Sequence, residues 1–154
     1  MPAPELRPLT DADLDRVTAI ERDTFADPWT RKSFAQMIGQ RHVRAIAACE
    51  TMLVGYALGT IAADEGEVLN IAVAKASQGK GVGRLLLEAL LEELRQGDAG
   101  SAYLEVRRSN QAAIGLYRAV GFRPLGVRPA YYASPREDAL TMALELGSQT
   151  AKKG

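Results

Sequence analysis

Residues 77–94 read SQGKGVGRLLLEALLEEL, with glycine at 79, 81 and 83 and leucines following without a break. Leu86, Leu87, Leu90, Leu91 and Leu94 recur at helical spacing and make one apolar stripe. Glu88, Glu92, Glu93 and Arg95 take the solvent side, and Gly97 supplies the stop. A glycine cluster opening a helix presents unpaired backbone N–H groups at the positive end of the helix dipole, which suits an anion. Two phosphate loops fail on the residue that does their chemistry. A dinucleotide fingerprint, G-x-G-x-x-G, needs a third glycine where Arg84 or Leu86 stands. A nucleotide-triphosphate loop needs a serine or threonine after Gly-Lys to hold magnesium, and Gly81 follows Lys80. What remains is a metal-free anion cradle or a turn that merely caps the helix. Three alternating glycines cost more folding entropy than a cap requires.

Outward from this stretch, the rest of the chain is ordinary globular sequence. Its 154 residues are 47% hydrophobic and 25% charged, enough for one domain with a sizeable core. Nineteen basic and nineteen acidic residues cancel, which argues against a nucleic-acid or membrane footprint. The N-terminus lacks the basic and apolar blocks of a signal peptide, and no apolar run approaches a membrane span, so a cytoplasmic location is expected. Cys49 is the single cysteine and reads as a small buried thiol in a strand. His42 is the single histidine, so neither a histidine metal cluster nor a Ser-His-Asp arrangement is expected, and no metal site is assigned.

Upstream, ELRPL reads as a first strand, and Thr10 with Asp13 resembles a capping box that opens a helix carrying Leu14, Val17 and Glu21 on one face. Thr30 caps a second helix to about Gly39, with Phe34, Met37 and Ile38 inward. VRAIAACE, LVGYALGTIA and EVLNIAVA form a meander, with turns near Glu50–Thr51 and at Asp64–Gly66. Downstream, SAYLEVRR alternates as a strand, and Asn110 caps a helix closed by Gly121. A short strand near Phe122, an irregular RPAYYASPRED and a strand ALTMALEL complete the chain. The pattern predicts an α/β (α+β) fold: a mixed, mostly antiparallel sheet of about seven strands with a central parallel pair, flanked by about four helices. A single domain is expected over 1–147, with a loose tail at 148–154.

QGKGVGRLL resembles the Q/R-x-x-G-x-G/A signature of the GNAT superfamily of N-acetyltransferases, whose loop grips the pyrophosphate of acetyl-coenzyme A. LNIAV upstream and LEVRRSNQAAIGLYRAVGF downstream also resemble that family's core. DPWT, LEVRRSNQAAIGLY and YYASPREDALTMAL are similar to blocks of one branch, the ribosomal-protein-alanine acetyltransferases (RimI). The resemblance implies a GNAT fold and a coenzyme A site formed by the Ile71, Ala72 and Val73 backbone, by Gln78, Gly79, Lys80, Gly81, Val82 and Gly83, and by Asn110. Gly79 departs from the pattern, because the branch often carries arginine or another long polar residue there.

Read from the residues, Glu105 is an exposed strand carboxylate paired with Arg107 on the same face; the resemblance makes it the general base. Tyr117 reads as a core tyrosine with its hydroxyl at the rim; the resemblance makes it the acid that protonates the leaving thiolate. Trp29, Tyr131 and Tyr132 fall in irregular segments that border the peptide entrance in the branch, and Trp29 also fits a packing role. The implied activity is acetyl-coenzyme A-dependent Nα-acetylation of a protein N-terminus, the alanine of a small-subunit ribosomal protein. Two alternatives stand beside it: the same chemistry on a small amine or a lysine side chain, and a coenzyme A-binding regulatory module without catalysis.

Overall fold

Alternation in VRAIAAC sends Ile46 and Ala48 to one side of a sheet and Ala47 to the other, and both sides are buried. A strand apolar on both faces needs a layer on each, and the computed structural model, which describes residues 3–147, has both. Seven strands form one sheet: β1 (Glu5–Pro8), β2 (Val43–Cys49), β3 (Leu53–Ala62), β4 (Glu65–Val73), β5 (Ser101–Arg107), β6 (Arg123–Ala133) and β7 (Arg136–Glu145). Helices α1 (Leu14–Thr24), α2 (Arg31–Ile38), α3 (Val82–Gln96) and α4 (Gln111–Val120) fill the connections. The strand order is β1-β2-β3-β4-β5-β7-β6, and β4–β5 is its parallel pair. The expected mixed sheet and element order are both present. The expected tail at 148–154 lies outside the described residues.

The leucine stripe of α3 covers one face. Leu86, Leu87, Leu90 and Leu94 have no exposed surface, and burying each contributes about 2 kcal/mol. The helix lies close because the strands beneath it carry glycine. A Cβ on Gly55, Gly59 or Gly66 would stand 3.0–3.1 Å from Leu86, Leu90 and Leu94 respectively. Successive turns of α3 therefore sit on successive strand glycines. On the opposite face α1 and α2 bury Leu14, Val17, Ile20 and Phe34 against Ala47, Tyr56, Leu58 and Ala72.

Local signals hold at the helix starts. Asp13 accepts from the Thr10 backbone N–H at 2.9 Å and pairs with Arg7 at 2.8 Å, and this arginine holds the Asp13 carboxyl below its usual range. Thr30 Oγ1 accepts from Ser33 N, and Asn110 Oδ1 from Ala113 N, both at 3.1 Å.

Three expectations need correction. The second hairpin turns at Ala63–Asp64 rather than Asp64–Gly66, and Gly66 is a buried strand residue under Leu94. RPAYYASPRED is not irregular: β6 and β7 form a long hairpin tipped by the cis Ser134–Pro135 bond, so Tyr131 and Tyr132 are strand residues. Prolines at 124 and 129 and a register shift between Arg128 and Tyr132 mask its period of two, which the edge strand of a sheet tolerates. Cys49 is half-buried at the end of β2, beside the register shift between Ala48 and Cys49.

Candidate active site

The parallel pairing of β4 with β5 stops after Glu67 and Tyr103. Asn70 to Val73 continue to pair with β3 on one side, after a shift in register at Leu58–Gly59. The edge of β4 facing β5 is thereby left open, and the start of α3 stands beside it. Gly79 and Gly81 have φ of +79° and +84°, where L side chains are strained, and a Cβ on either would meet nothing within 4 Å. No side chain caps α3 and its first turn holds no acidic residue, whereas Thr30 and Asn110 cap α2 and α4. An uncapped start above open space is suited to an anion.

The cleft between this loop, β4 and α4 has a volume of about 710 Å³. Of the residues expected to hold the cofactor, Ile71, Ala72, Val73, Gln78, Gly79, Gly81, Val82, Gly83 and Asn110 line it. Lys80 is exposed and is not among its lining residues. Gln78 turns its side chain back, Nε2 donating to the Val73 carbonyl at 2.9 Å, so it braces the loop against β4. The donor set is main-chain and neutral, the kind that holds a pyrophosphate without a metal.

A second cavity, of about 190 Å³, shares Ile71, Asn110 and Tyr117 with the cleft and extends under the loop between α1 and α2. Glu105 and Tyr117 both line it, as do Trp29 and Tyr132. Tyr131 stands outside its lining, half exposed and edge-on to Tyr132 at 5.1 Å between ring centroids.

Glu105 is not the exposed partner of Arg107. Its side chain is 16% exposed; Oε2 accepts from Thr141 Oγ1 at 2.6 Å, and Oε1 lies 3.5 Å from Arg128 Nε. The register that puts Glu105 opposite Thr141 makes the first contact, and the β6–β7 hairpin brings Arg128. Glu67 lies near enough for the Glu105 charge to act with burial in raising its carboxyl pKa, against Arg128. Burial, with Tyr132 beside it, pushes the Tyr117 hydroxyl up to about 12.

Arg107 serves the rim instead. It donates to the Ser134 and Pro135 carbonyls at 3.0 and 2.8 Å, lies 3.3 Å from Asp27 and 3.4 Å from Glu137, and stacks 4.3 Å over Tyr132. Asp27 also accepts from the Ser134 N–H at 3.2 Å, which joins the α1–α2 loop to the hairpin tip.

Sequence reasoning singled out neither Arg107, Arg128 nor Thr141 for the site: Arg128 and the Ser134, Pro135 and Glu137 partners of Arg107 lie in the stretch it left irregular, and Thr141, although in an expected strand, reaches Glu105 only through the β5–β7 register. Glu21 did carry a signal, as a carboxylate on the apolar face of α1. It is 1% exposed and lines the second cavity. Among the described residues no group of three or more metal-ligating side chains occurs, and no helix is long and apolar enough to cross a membrane.

Residues 14–122 match the model of the Acetyltransferase (GNAT) family, and the chain belongs to that family of acetyltransferases. Within it, the chain is similar to the [ribosomal protein bS18]-alanine N-acetyltransferase of Escherichia coli K12. The two are 38% identical over 140 residues, which cover 90% of this chain and 95% of the relative. It is 41% identical to the N-alpha-acetyltransferase RimI of Mycobacterium tuberculosis over 146 residues, 90% of each chain. The crystal structure of the Escherichia coli ribosomal-protein-S18-alanine N-acetyltransferase superposes with a TM-score of 0.85 at 35% identity, covering 93% of this chain and 94% of that one. Enzymes of this family use acetyl-coenzyme A.

Proposed function

We propose that this chain is an acetyl-coenzyme A-dependent Nα-acetyltransferase of the cytoplasm, acting on the N-terminal alanine of a ribosomal protein. The observation that carries the proposal is that Glu105 and Tyr117 line one small cavity opening onto the glycine-walled cleft. The names of the Escherichia coli and Mycobacterium tuberculosis relatives support the choice of acceptor.

In this reading the cleft holds the cofactor. The Val82, Gly83 and Arg84 N–H groups at the start of α3 receive the pyrophosphate, and the open edge of β4 at Ile71–Val73 lies along the pantetheine arm. Acetyl-coenzyme A supplies an activated acetyl thioester. The protein's task is to deliver a neutral amine to it and to stabilise the departing sulfur.

An N-terminal α-amine has a pKa near 8, so about a tenth is neutral at pH 7 and a carboxylate suffices as base. Glu105 takes the proton on Oε1, which lies 3.5 Å from Arg128, while Thr141 holds its second oxygen. Tyr117 faces the departing sulfur. With its pKa near 12 it stays protonated at every working pH, a constant O–H donor. A thiol has a pKa of about 8.5, so complete proton transfer from such a phenol to a free thiolate runs uphill. Tyr117 therefore lowers the charge on sulfur through its hydrogen bond while the thiolate forms.

Incubating the protein with acetyl-coenzyme A, peptides bearing different N-termini, lysine-containing peptides with blocked N-termini, and a panel of small amines tests the assignment. Turnover centred on alanine-terminated peptides is expected. Turnover of small amines or lysine side chains alone overturns the acceptor, and binding of coenzyme A with no turnover of any amine overturns the enzyme.

A further inference from the structure

A fully buried carboxylate is costly unless every lone pair it presents is used. Glu21, at 1% exposure the most buried acidic residue, is used on both oxygens. Oε1 accepts from Tyr56 OH at 2.5 Å and from Asn70 Nδ2 at 2.8 Å. Oε2 accepts from the Trp29 backbone N–H at 2.9 Å. The last contact leaves the core: Trp29 belongs to the α1–α2 loop, which with Phe25 and Asp27 lines the same cavity as Glu105. The Trp29 ring packs at 5.3 Å from Phe34, and Phe34 packs edge-on at 5.7 Å against Tyr56. Main chain and side chain of Trp29 thus return to the same buried tyrosine by two routes, closing a ring of contacts.

A helix-terminal glutamate that only satisfied Tyr56 and Asn70 would need one oxygen. The second is spent on a loop backbone that forms the cavity wall. We propose that Glu21 is a positioning residue for the acceptor: it fixes the Trp29 wall before the amine arrives, and so sets the distance between that wall and Glu105. The inference rests on reading this cavity as the acceptor site.

Glu21→Gln separates this role from simple core stability. Glutamine has one acceptor and one donor end, so keeping its oxygen on Tyr56 and Asn70 turns its NH₂ against the Trp29 N–H. Tyr56→Phe removes a core hydrogen bond but leaves Glu21 on Trp29. Steady-state kinetics with an alanine-terminated peptide and acetyl-coenzyme A, beside thermal melts, read the difference. Loss of one charge-assisted hydrogen bond to the wall predicts that Glu21→Gln raises the acceptor KM about tenfold, with kcat and cofactor KM within about threefold. Tyr56→Phe lowers the melting temperature and leaves the acceptor KM within about twofold. Trp29 is the only tryptophan, so its fluorescence reports the wall directly, and acrylamide quenching rises in Glu21→Gln alone.

An acceptor KM that rises in both variants in step with lost stability overturns the positioning role, as does one that rises in neither. A rise in cofactor KM alone overturns the reading of the cavity as well. Should Glu21→Gln not fold, amide exchange of the unaltered protein decides. The Trp29 amide is expected to be protected before peptide is added; protection acquired only on peptide binding contradicts a preset wall.

Discussion

Thr141 Oγ1 donates to Glu105 Oε2 at 2.6 Å, across directly paired positions of β7 and β5. The strand pairing thereby orients a carboxylate that composition alone describes as an exposed charge. Because the donor is a β-branched residue in a strand, its χ1 is restricted and the hydrogen bond is built before substrate binds. Removing it should loosen the base without unfolding the sheet. Thr141→Val keeps the shape and β propensity, and kcat/KM should fall about tenfold, the worth of one hydrogen bond to a charged group. A steady-state comparison checks this, and an unchanged kcat/KM would show that Glu105 needs no such support.

Glu105→Gln should slow acetyl transfer by a factor on the order of 100 or more, the usual contribution of a positioned base, while coenzyme A binding stays intact. Without the carboxylate, turnover depends on amine that is already neutral, whose fraction climbs toward one as pH passes about 8. The deficit should therefore shrink between about pH 7 and pH 9. A pH–rate profile of both proteins, with a binding titration, measures this.

Tyr117 makes an alkaline prediction whose sign is fixed by its raised pKa. Folded, it holds its proton up to about 12; unfolded, it ionises near 10. Its contribution to stability is complete below about pH 10 and is lost as pH rises through 12, because the unfolded chain binds fewer protons in that window. Tyr132 is raised likewise, to about 12. Denaturation midpoints measured from pH 9 upward should fall beyond about pH 10, and less steeply in Tyr117→Phe. At pH 8 the same variant should turn over slowly with normal cofactor affinity. An undiminished rate would remove Tyr117 from the chemistry.

At acid pH the sign reverses for Asp13. Its carboxyl is held below the usual range first by Arg7. The stability it contributes is present above about pH 4 and disappears as pH falls through the lowered folded value. Asp13→Asn should cost stability at pH 7, and the difference from the unaltered protein should be smaller at about pH 3, where the unfolded carboxyl is already mostly protonated. Urea unfolding at the two pH values tests it.

Much of the fold was legible because its signals are local. The leucine stripe, the caps at Thr30 and Asn110 and the alternation in SAYLEVR each depend on residues within a turn or two of one another. Most of β6 and the tip of the β6–β7 hairpin were not, since the prolines and register shifts there suppress the period of two. With that stretch went Arg128, 23 positions from Glu105, and Ser134, Pro135 and Glu137, 27 to 30 positions from Arg107, while Thr141 lies in a strand that its alternation did show and meets Glu105, 36 positions away, only through the register. Gly79 shows the same division. Its open surroundings leave room for a side chain, while its φ of +79° favours glycine, and neither property can be read from the letter.

Gly81→Ala tests the anion cradle apart from the chemistry. Forcing a Cβ into φ +84° should cost about 1–2 kcal/mol of stability and tilt the N–H groups at the start of α3. Coenzyme A affinity should weaken severalfold, while kcat at saturating cofactor changes little. Calorimetric titration with coenzyme A against unfolding by urea separates the two effects. Normal affinity in a destabilised variant would assign Gly81 to the turn alone.

The most direct test of the central claim is mass spectrometry of ribosomal-protein N-termini from cells with the gene and cells without it. The account predicts one alanine N-terminus that is acetylated in the first and free in the second, restored by the unaltered gene and not by Glu105→Gln. An identical set of acetylated N-termini in both would contradict it.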